Sequence, residues 1–144
     1  MADRAEQIRE AMEAALKARF GDGFQVSGYL LTSPTSPGFE IDLDPEGVNF
    51  DQAMGRGLDE WWFLIRGFVA KASDVGSQKL RDKMLNPSGD FSVKAAIEVD
   101  RTLGGACHAC RVVKGAPRSY SVKTSAGDVT YSGVEFRVRV MATG

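Results

Sequence analysis

Thiol and imidazole side chains are concentrated in one stretch, Cys107-His108-Ala109-Cys110, which holds both cysteines and the only histidine of the chain. These groups bind metals, attack electrophiles and exchange disulfides, so the stretch is the first candidate for chemistry. The following residues, Arg111-Val112-Val113, predict a strand that starts here, and residues three apart in a strand face opposite sides, roughly 10 Å apart. A closed zinc site also needs four ligands, and the sequence has no second Cys/His pair. We therefore expect two separated, semi-buried thiols, and no metal or redox site.

No other pattern in the sequence indicates an enzyme. A Ser-His-Asp system would have to use His108, and the chain lacks a Gly-x-Ser-x-Gly turn to present the serine. A cluster of carboxylates could attract a divalent cation, but its alternation with apolar residues is typical of a solvated strand face. The cluster consists of Asp42, Asp44, Glu46 and Asp51. We expect no catalytic residue, no metal and no cofactor.

The composition, 43% hydrophobic and 26% charged, is typical of one globular domain over residues 1–144. No apolar run reaches the roughly 20 residues of a membrane-spanning helix, and the N-terminus lacks the apolar stretch of a signal peptide, so we expect a cytoplasmic origin and no membrane contact. The net charge of −1 argues against wrapping nucleic acid. Residues 1–70 carry 12 acidic and 6 basic side chains, whereas residues 71–144 carry 7 and 12. This charge difference between the two halves of the sequence is typical of solvated faces, and it would also suit copies of the chain that meet head to tail.

The N-terminal third predicts one helix and then strands. Asp3 and Glu6 form a variant of the capping box, and Gly21 supplies a stop, which gives a helix of about 17 residues. Its apolar residues at helical spacing are Ala5, Ile8, Met12, Ala15 and Leu16. From Phe24 the period changes to two, which predicts strands over 24–30, 39–44 and 48–54. The last two are joined by Asp44-Pro45-Glu46-Gly47, a sequence that a type I turn prefers.

Residues 58–70 predict a strand that is apolar on both faces. The two faces are lined by Trp61, Phe63, Ile65 and Val69 and by Trp62, Leu64 and Phe68. Such a strand lies either in the middle of a sheet under helices or under a partner subunit, and the sequence leaves both interpretations open.

The second half predicts two short helices, 74–85 and about 91–99, divided by Asn86-Pro87-Ser88-Gly89, with Ser88 or Asp90 as the cap of the second. Strands near 106–114, 118–124 and 129–141 follow, and in the last one Arg137 and Arg139 point outward. Hairpin-like links favour antiparallel pairing. The order predicts an α+β fold, with an antiparallel or mixed sheet packed against an N-terminal helix and two short central helices.

Three stretches resemble the tail terminator proteins of long-tailed, siphovirus-type bacteriophages, particularly those that infect actinobacteria. The stretches are NFDQAMGRGLDEWWFLIRGFV, SDVGSQKLRDKMLNPSGDFSVKAAIEVDRTLGG and YSGVEFRVRVMATG. The resemblance is close over about the last two thirds of the chain and looser before that. The chain departs from the pattern at Cys107–Cys110 and in KGAPRSYSVKTSAGD.

The resemblance implies a structural virion protein that is assembled in the host cytoplasm. Copies would form a ring, of six subunits, on the head-proximal end of the tail tube, stop tube growth and present a surface to the head-tail connector (stopper) protein. Genomic DNA would only pass through the ring, so we expect acidic or neutral groups around the lumen. The loops 32–38 and 55–57 are candidates for contact with the lumen or the tube. The candidate interface residues are Thr32, Ser33, Thr35, Arg56, Trp61, Trp62, Arg137 and Arg139.

Two alternatives stay open at this stage. A head-side connector, a stopper or adaptor of the neck, shares the size, the cytoplasmic origin and the ring. A thiol- or metal-dependent protein that uses Cys107, His108 and Cys110 belongs to a different class.

Overall fold

The computed structural model describes residues 3–21, 24–28, 38–50, 58–71, 75–124 and 127–143. The elements in these ranges are α1 (Arg4–Phe20), β1 (Gln25–Ser27), β2 (Gly38–Asn49), β3 (Leu58–Lys71), α2 (Val75–Leu85), α3 (Val93–Glu98), a 3₁₀ turn (Leu103–Gly105), β4 (Ala109–Thr124) and β5 (Gly127–Thr143). The strands form one mixed sheet in the order β1-β2-β3-β5-β4. The predicted α+β fold is confirmed.

The ends of α1 follow from local capping chemistry. The Asp3 carboxylate accepts a hydrogen bond from the backbone N–H of Glu6 (2.8 Å), and the N–H of Gly21 donates to the carbonyl of Lys17 (2.9 Å). Gly21 has φ +75°, which glycine reaches without a side-chain clash. The buried stripe of the helix consists of Ile8, Met12, Leu16 and Phe20. The predicted helix and both of its ends are confirmed.

Two stretches predicted as breaks lie inside continuous strands. Asp44-Pro45-Glu46-Gly47 is a bulge in β2, where the register with β3 shifts between Leu43 and Val48. The turn chemistry is present, since the Asp44 carboxylate accepts the N–H of Glu46 (2.8 Å), but pairing with β3 resumes after it. β4 likewise runs through 115–117 with a register shift near Val113. The predicted division of each of these stretches into two strands is therefore wrong, and residues 51–54 lie outside the described ranges.

Two further details differ from the sequence prediction. The strand predicted over 24–30 is shorter and pairs with β2 in parallel. Parallel neighbours need a long connection, and the residues between Ser27 and Gly38 supply its length. The cap of α3 is Ser92, which accepts the N–H of Ala95 (3.1 Å) and donates to the carbonyl of Asn86 (2.6 Å). A hydroxyl buried between these two groups fixes the helix start there, rather than at Ser88 or Asp90.

The described helices pack on one face of the sheet. α2 packs against β3, β4 and β5, α3 packs against β4, and α1 packs against α3 and β1. The hydrophobic core joins these helices to every second residue of the strands, which on β3 are Trp61, Phe63, Ile65 and Val69. We call this side the core face and the opposite side the outer face. Trp61 and Trp62 therefore lie on different faces, as predicted.

Candidate functional site

No described helix packs on the outer face of the sheet. Its residues are Glu40, Asp42 and Asp44 of β2, Glu60, Trp62, Leu64, Arg66 and Phe68 of β3, Glu135, Arg137, Arg139 and Met141 of β5, and Arg111, Lys114 and Arg118 of β4. Leu64 and Phe68 are only 4% and 5% exposed, although they lie outside the core cluster. β3 is therefore buried on both faces, as its sequence predicts.

Arg137 spans the outer face from β5 to β2. Its guanidinium lies over the ring of Trp62, 4.7 Å from the ring centre, and Nε donates to Oδ2 of Asp44 at 3.0 Å. The Asp44 side chain is buried by this arrangement, at 7% exposure. A cation that stacks on an aromatic ring while it pairs with a carboxylate holds its long side chain in one orientation.

Arg66 and Arg139 form further ion pairs between strands on the outer face. Arg66, on the central strand, lies within 4 Å of three carboxylates on the two neighbouring strands, those of Glu40 (3.9 Å) and Asp42 (3.7 Å) on β2 and of Glu135 (3.8 Å) on β5. Arg139 donates to the carboxylate of Glu60. Burial raises the pKa of Glu60, but the hydrogen bonds from Arg139, Asn49 and Trp62 outweigh it and hold that pKa below its usual value.

Opposite charges collect near the two sides of this face. Asp42 and Asp44 lie on its β2 side, and the exposed Glu46 follows them in the bulge; we call these three residues the acidic β2 patch. Arg111, Lys114 and Arg118 form the basic β4 patch. Two strands, β3 and β5, separate the patches, which corresponds to roughly 14 Å between β2 and β4. The polarity between the halves of the sequence thus becomes a polarity across one face of the folded chain.

The candidate interface residues fall into three groups. Trp62, Arg137 and Arg139 lie on the outer face, and the indole N–H of Trp62 donates to Glu60 (2.9 Å). Trp61 lies on the core face beside Phe63, and its indole nitrogen is buried without a hydrogen-bond partner among the described residues. Thr32, Ser33, Thr35 and Arg56 lie outside the described ranges.

A pair of side chains that sequence analysis missed occupies the backbone groups of one residue, Val112, on the free edge of β4. Glu98 of α3 accepts the backbone N–H of Val112 (3.0 Å), and Lys94 donates to the carbonyl of the same residue (3.3 Å) and to Glu98 itself. Burial raises the pKa of Glu98, but the hydrogen bonds from Lys94 and Val112 hold it below its usual value. The four-residue spacing of Lys94 and Glu98 predicts an ion pair on one helix face, but it does not predict that the pair binds the backbone of Val112.

The Cys107–Cys110 stretch has a geometry opposite to the one expected. β4 begins at Ala109, so Cys107 and His108 belong to the preceding turn and the three-residue rule for strands does not apply. The two thiols are both free and buried, and each influences the acidity of the other. Cys107 Sγ lies 3.4 Å from the carbonyl oxygen of Arg101, and Cys110 Sγ lies 3.8 Å from that of Ile97. The prediction of two separated thiols is wrong.

The two thiols differ in acidity. The hydrogen bond from Cys110 lowers the pKa of Cys107, with the charge of Arg4 acting in the same direction and burial opposing it. The same hydrogen bond, together with burial, raises the pKa of Cys110. Cys107 also lines a surface cavity of about 90 Å³ with Arg4, Gly105 and His108. Cys107, the more acidic thiol, lines the cavity, and Cys110 stays protonated. Such an arrangement can undergo disulfide exchange.

Among the described residues, His, Cys, Asp and Glu side chains do not gather in any group of three or more that could hold a metal ion. None of the described helices has the length and apolar character needed to span a membrane. No protein-family model matches the chain, and no curated protein is significantly similar to it.

Proposed function

We propose that this chain is a structural protein of a bacteriophage tail. Its copies form a ring on the head-proximal end of the tail tube, end tube polymerisation and provide the surface for joining the head. The observation that carries the proposal is the outer face of the sheet, on which no described helix packs and where the acidic β2 patch and the basic β4 patch lie near opposite margins. The resemblance of the three quoted sequence stretches supplies the specific class of tail protein.

A closed ring needs a heterologous interface, in which one patch of each copy meets a different patch of the next. The exposed members of the two patches meet this requirement. Asp42 and Asp44 are already paired with Arg66 and Arg137, whereas Glu46 is exposed and opposite in charge to the exposed Arg111, Lys114 and Arg118. Glu46 and Lys114 are taken as one exposed member of each patch. In the proposed ring, Glu46 of one copy lies near Lys114 of the next.

A charge swap tests this interface. The single variants Glu46→Lys and Lys114→Glu each place like charges at every contact, so we expect both to form fewer rings than the unaltered chain in electron micrographs with tube protein present. The double variant restores opposite charges at every contact and should recover ring formation, as should an equimolar mixture of the two single variants. Arg19→Glu, which makes the same charge change at an exposed position on α1, is the matched control. Independent losses without recovery in the double variant would contradict the interface.

Inactivation of the gene tests the role in the tail. Loss of a terminator leaves overlong or disordered tubes, whereas loss of a head-side connector leaves normal tails beside unjoined heads. Overlong tubes are the expected result, and normal tails would assign the chain to the alternative. In the assembled ring, a lumen lined by lysine and arginine would contradict the expected acidic or neutral lining.

A further inference from the structure

The strongest unassigned feature is the cysteine pair at the junction between α3 and β4. Its backbone is fixed on both sides of the turn, because the N–H of Cys107 donates to the carbonyl of Thr102 (3.1 Å) and the N–H of His108 donates to that of Met141 (2.8 Å). Each sulfur also contacts a carbonyl, that of Arg101 or of Ile97. Because Ile97 and Arg101 are only four residues apart at the end of α3, these contacts place both sulfurs against the same short segment before any reaction occurs.

We propose that Cys107 and Cys110 are a dithiol that is reversibly oxidised to an intramolecular disulfide by low-molecular-weight disulfides, with Cys107 as the attacking thiol and Cys110 as the resolving thiol. The Cys107 thiolate attacks one sulfur of the small disulfide, forms a mixed disulfide and releases one small thiolate, which takes up a proton. The Cys110 thiol then loses its proton and attacks the Cys107 sulfur, which forms the Cys107–Cys110 bond and releases the second small thiol. The protein loses two protons and two electrons, and the small disulfide gains them as it becomes two thiols.

Burial decides the order of the two steps. Cys107 is 8% exposed and lines the surface cavity, whereas Cys110 is 3% exposed, does not line that cavity and has its sulfur directed at α3. An external disulfide therefore reaches Cys107 first. The lowered pKa of Cys107 and the raised pKa of Cys110 agree with this order, since the thiolate is the nucleophile.

Oxidised glutathione is the probe for the unaltered full chain, and intact mass is the readout. We expect the loss of two hydrogens, simultaneous protection of both cysteines from alkylation, and full reversal by dithiothreitol. A stable glutathione adduct on the folded protein without the intramolecular bond would overturn the proposal. So would a lack of reaction under conditions that oxidise both cysteines in the guanidinium-unfolded chain.

Variants separate the roles of the two thiols. Cys110→Ser should accumulate the glutathione adduct on Cys107, and Cys107→Ser should react at Cys110 at least about tenfold more slowly. Circular dichroism establishes that each variant is folded. Equal reactivity of Cys107 and Cys110 in the folded single variants would contradict the assigned order.

Discussion

At the scale of single residues, Gly67 shows how tightly the centre of the sheet is packed. Gly67 lies on the core face of β3, opposite Phe39 on one side and Val134 on the other. A Cβ atom at this position would stand 2.8 Å from Cγ2 of Val134 and 2.9 Å from Cε1 of Phe39. The Phe39 ring and the Val134 methyl therefore occupy the space that a side chain would need.

Gly67→Ala should destabilise the fold by about 1–3 kcal/mol, because one methyl group overpacks a rigid part of the core. Chemical denaturation measures the free energy of unfolding. Phe39→Leu in the same chain shortens the opposing side chain, so the double variant should lose less stability than the sum of the two single variants. Simple additivity would contradict the proposed contact.

At the scale of elements, the contact between α3 and β4 depends on the ionised form of Glu98. Its carboxylate accepts hydrogen bonds from Lys94 and from the N–H of Val112, and these hold its pKa below the usual 4.5. A carboxyl group whose pKa is lower in the folded state stabilises the fold above its unfolded pKa, and this stabilisation is lost as the pH falls through the folded pKa.

Glu98→Gln should therefore lower the free energy of unfolding at pH 7 by about 1–2 kcal/mol, and the difference from the unaltered chain should shrink as the pH falls below 4.5. Urea denaturation across this pH range measures both effects. Asp82→Asn removes an exposed carboxylate of α2 and should change stability little at any pH. A difference between Glu98→Gln and the unaltered chain that stays constant with pH would show that ionisation of Glu98 has no part in the contact.

The elements that sequence patterns predicted are those determined by nearby residues. Asp3 and Gly21 act within one helical turn, so both ends of α1 could be predicted. The parallel pairing of β1 depends on a connection across the sheet, which no local pattern encodes. The cysteine geometry was missed because the chain turns just before β4, where Leu103, Gly104 and Gly105 have φ values of 50°, 68° and 94°. The Gly104-Gly105 pair was the available signal that the strand had not yet begun.

At the scale of the whole molecule, the charge difference between the two halves of the sequence corresponds to two patches of opposite charge, the acidic β2 patch and the basic β4 patch. If these patches bring copies together, self-association should weaken as salt rises, because the screening length falls from about 10 Å at 0.1 M salt to about 3 Å at 1 M. Sedimentation velocity across this range measures the effect. The variant with both Glu46→Gln and Lys114→Gln should associate more weakly at low salt and respond less to added salt. Association of the unaltered chain that strengthens with salt would indicate an apolar interface instead.

Side chains occupy backbone hydrogen-bonding groups at both margins of the sheet. On the β2 side, the buried Arg9 donates to the carbonyls of Gly28 and Ile41, each at 2.9 Å. On the β4 side, Glu98 and Lys94 occupy the N–H and the carbonyl of Val112. A foreign strand that tried to extend the sheet at either point would have to displace a charged group first. At these points, backbone pairing that would join the sheets of two molecules edge to edge is therefore disfavoured.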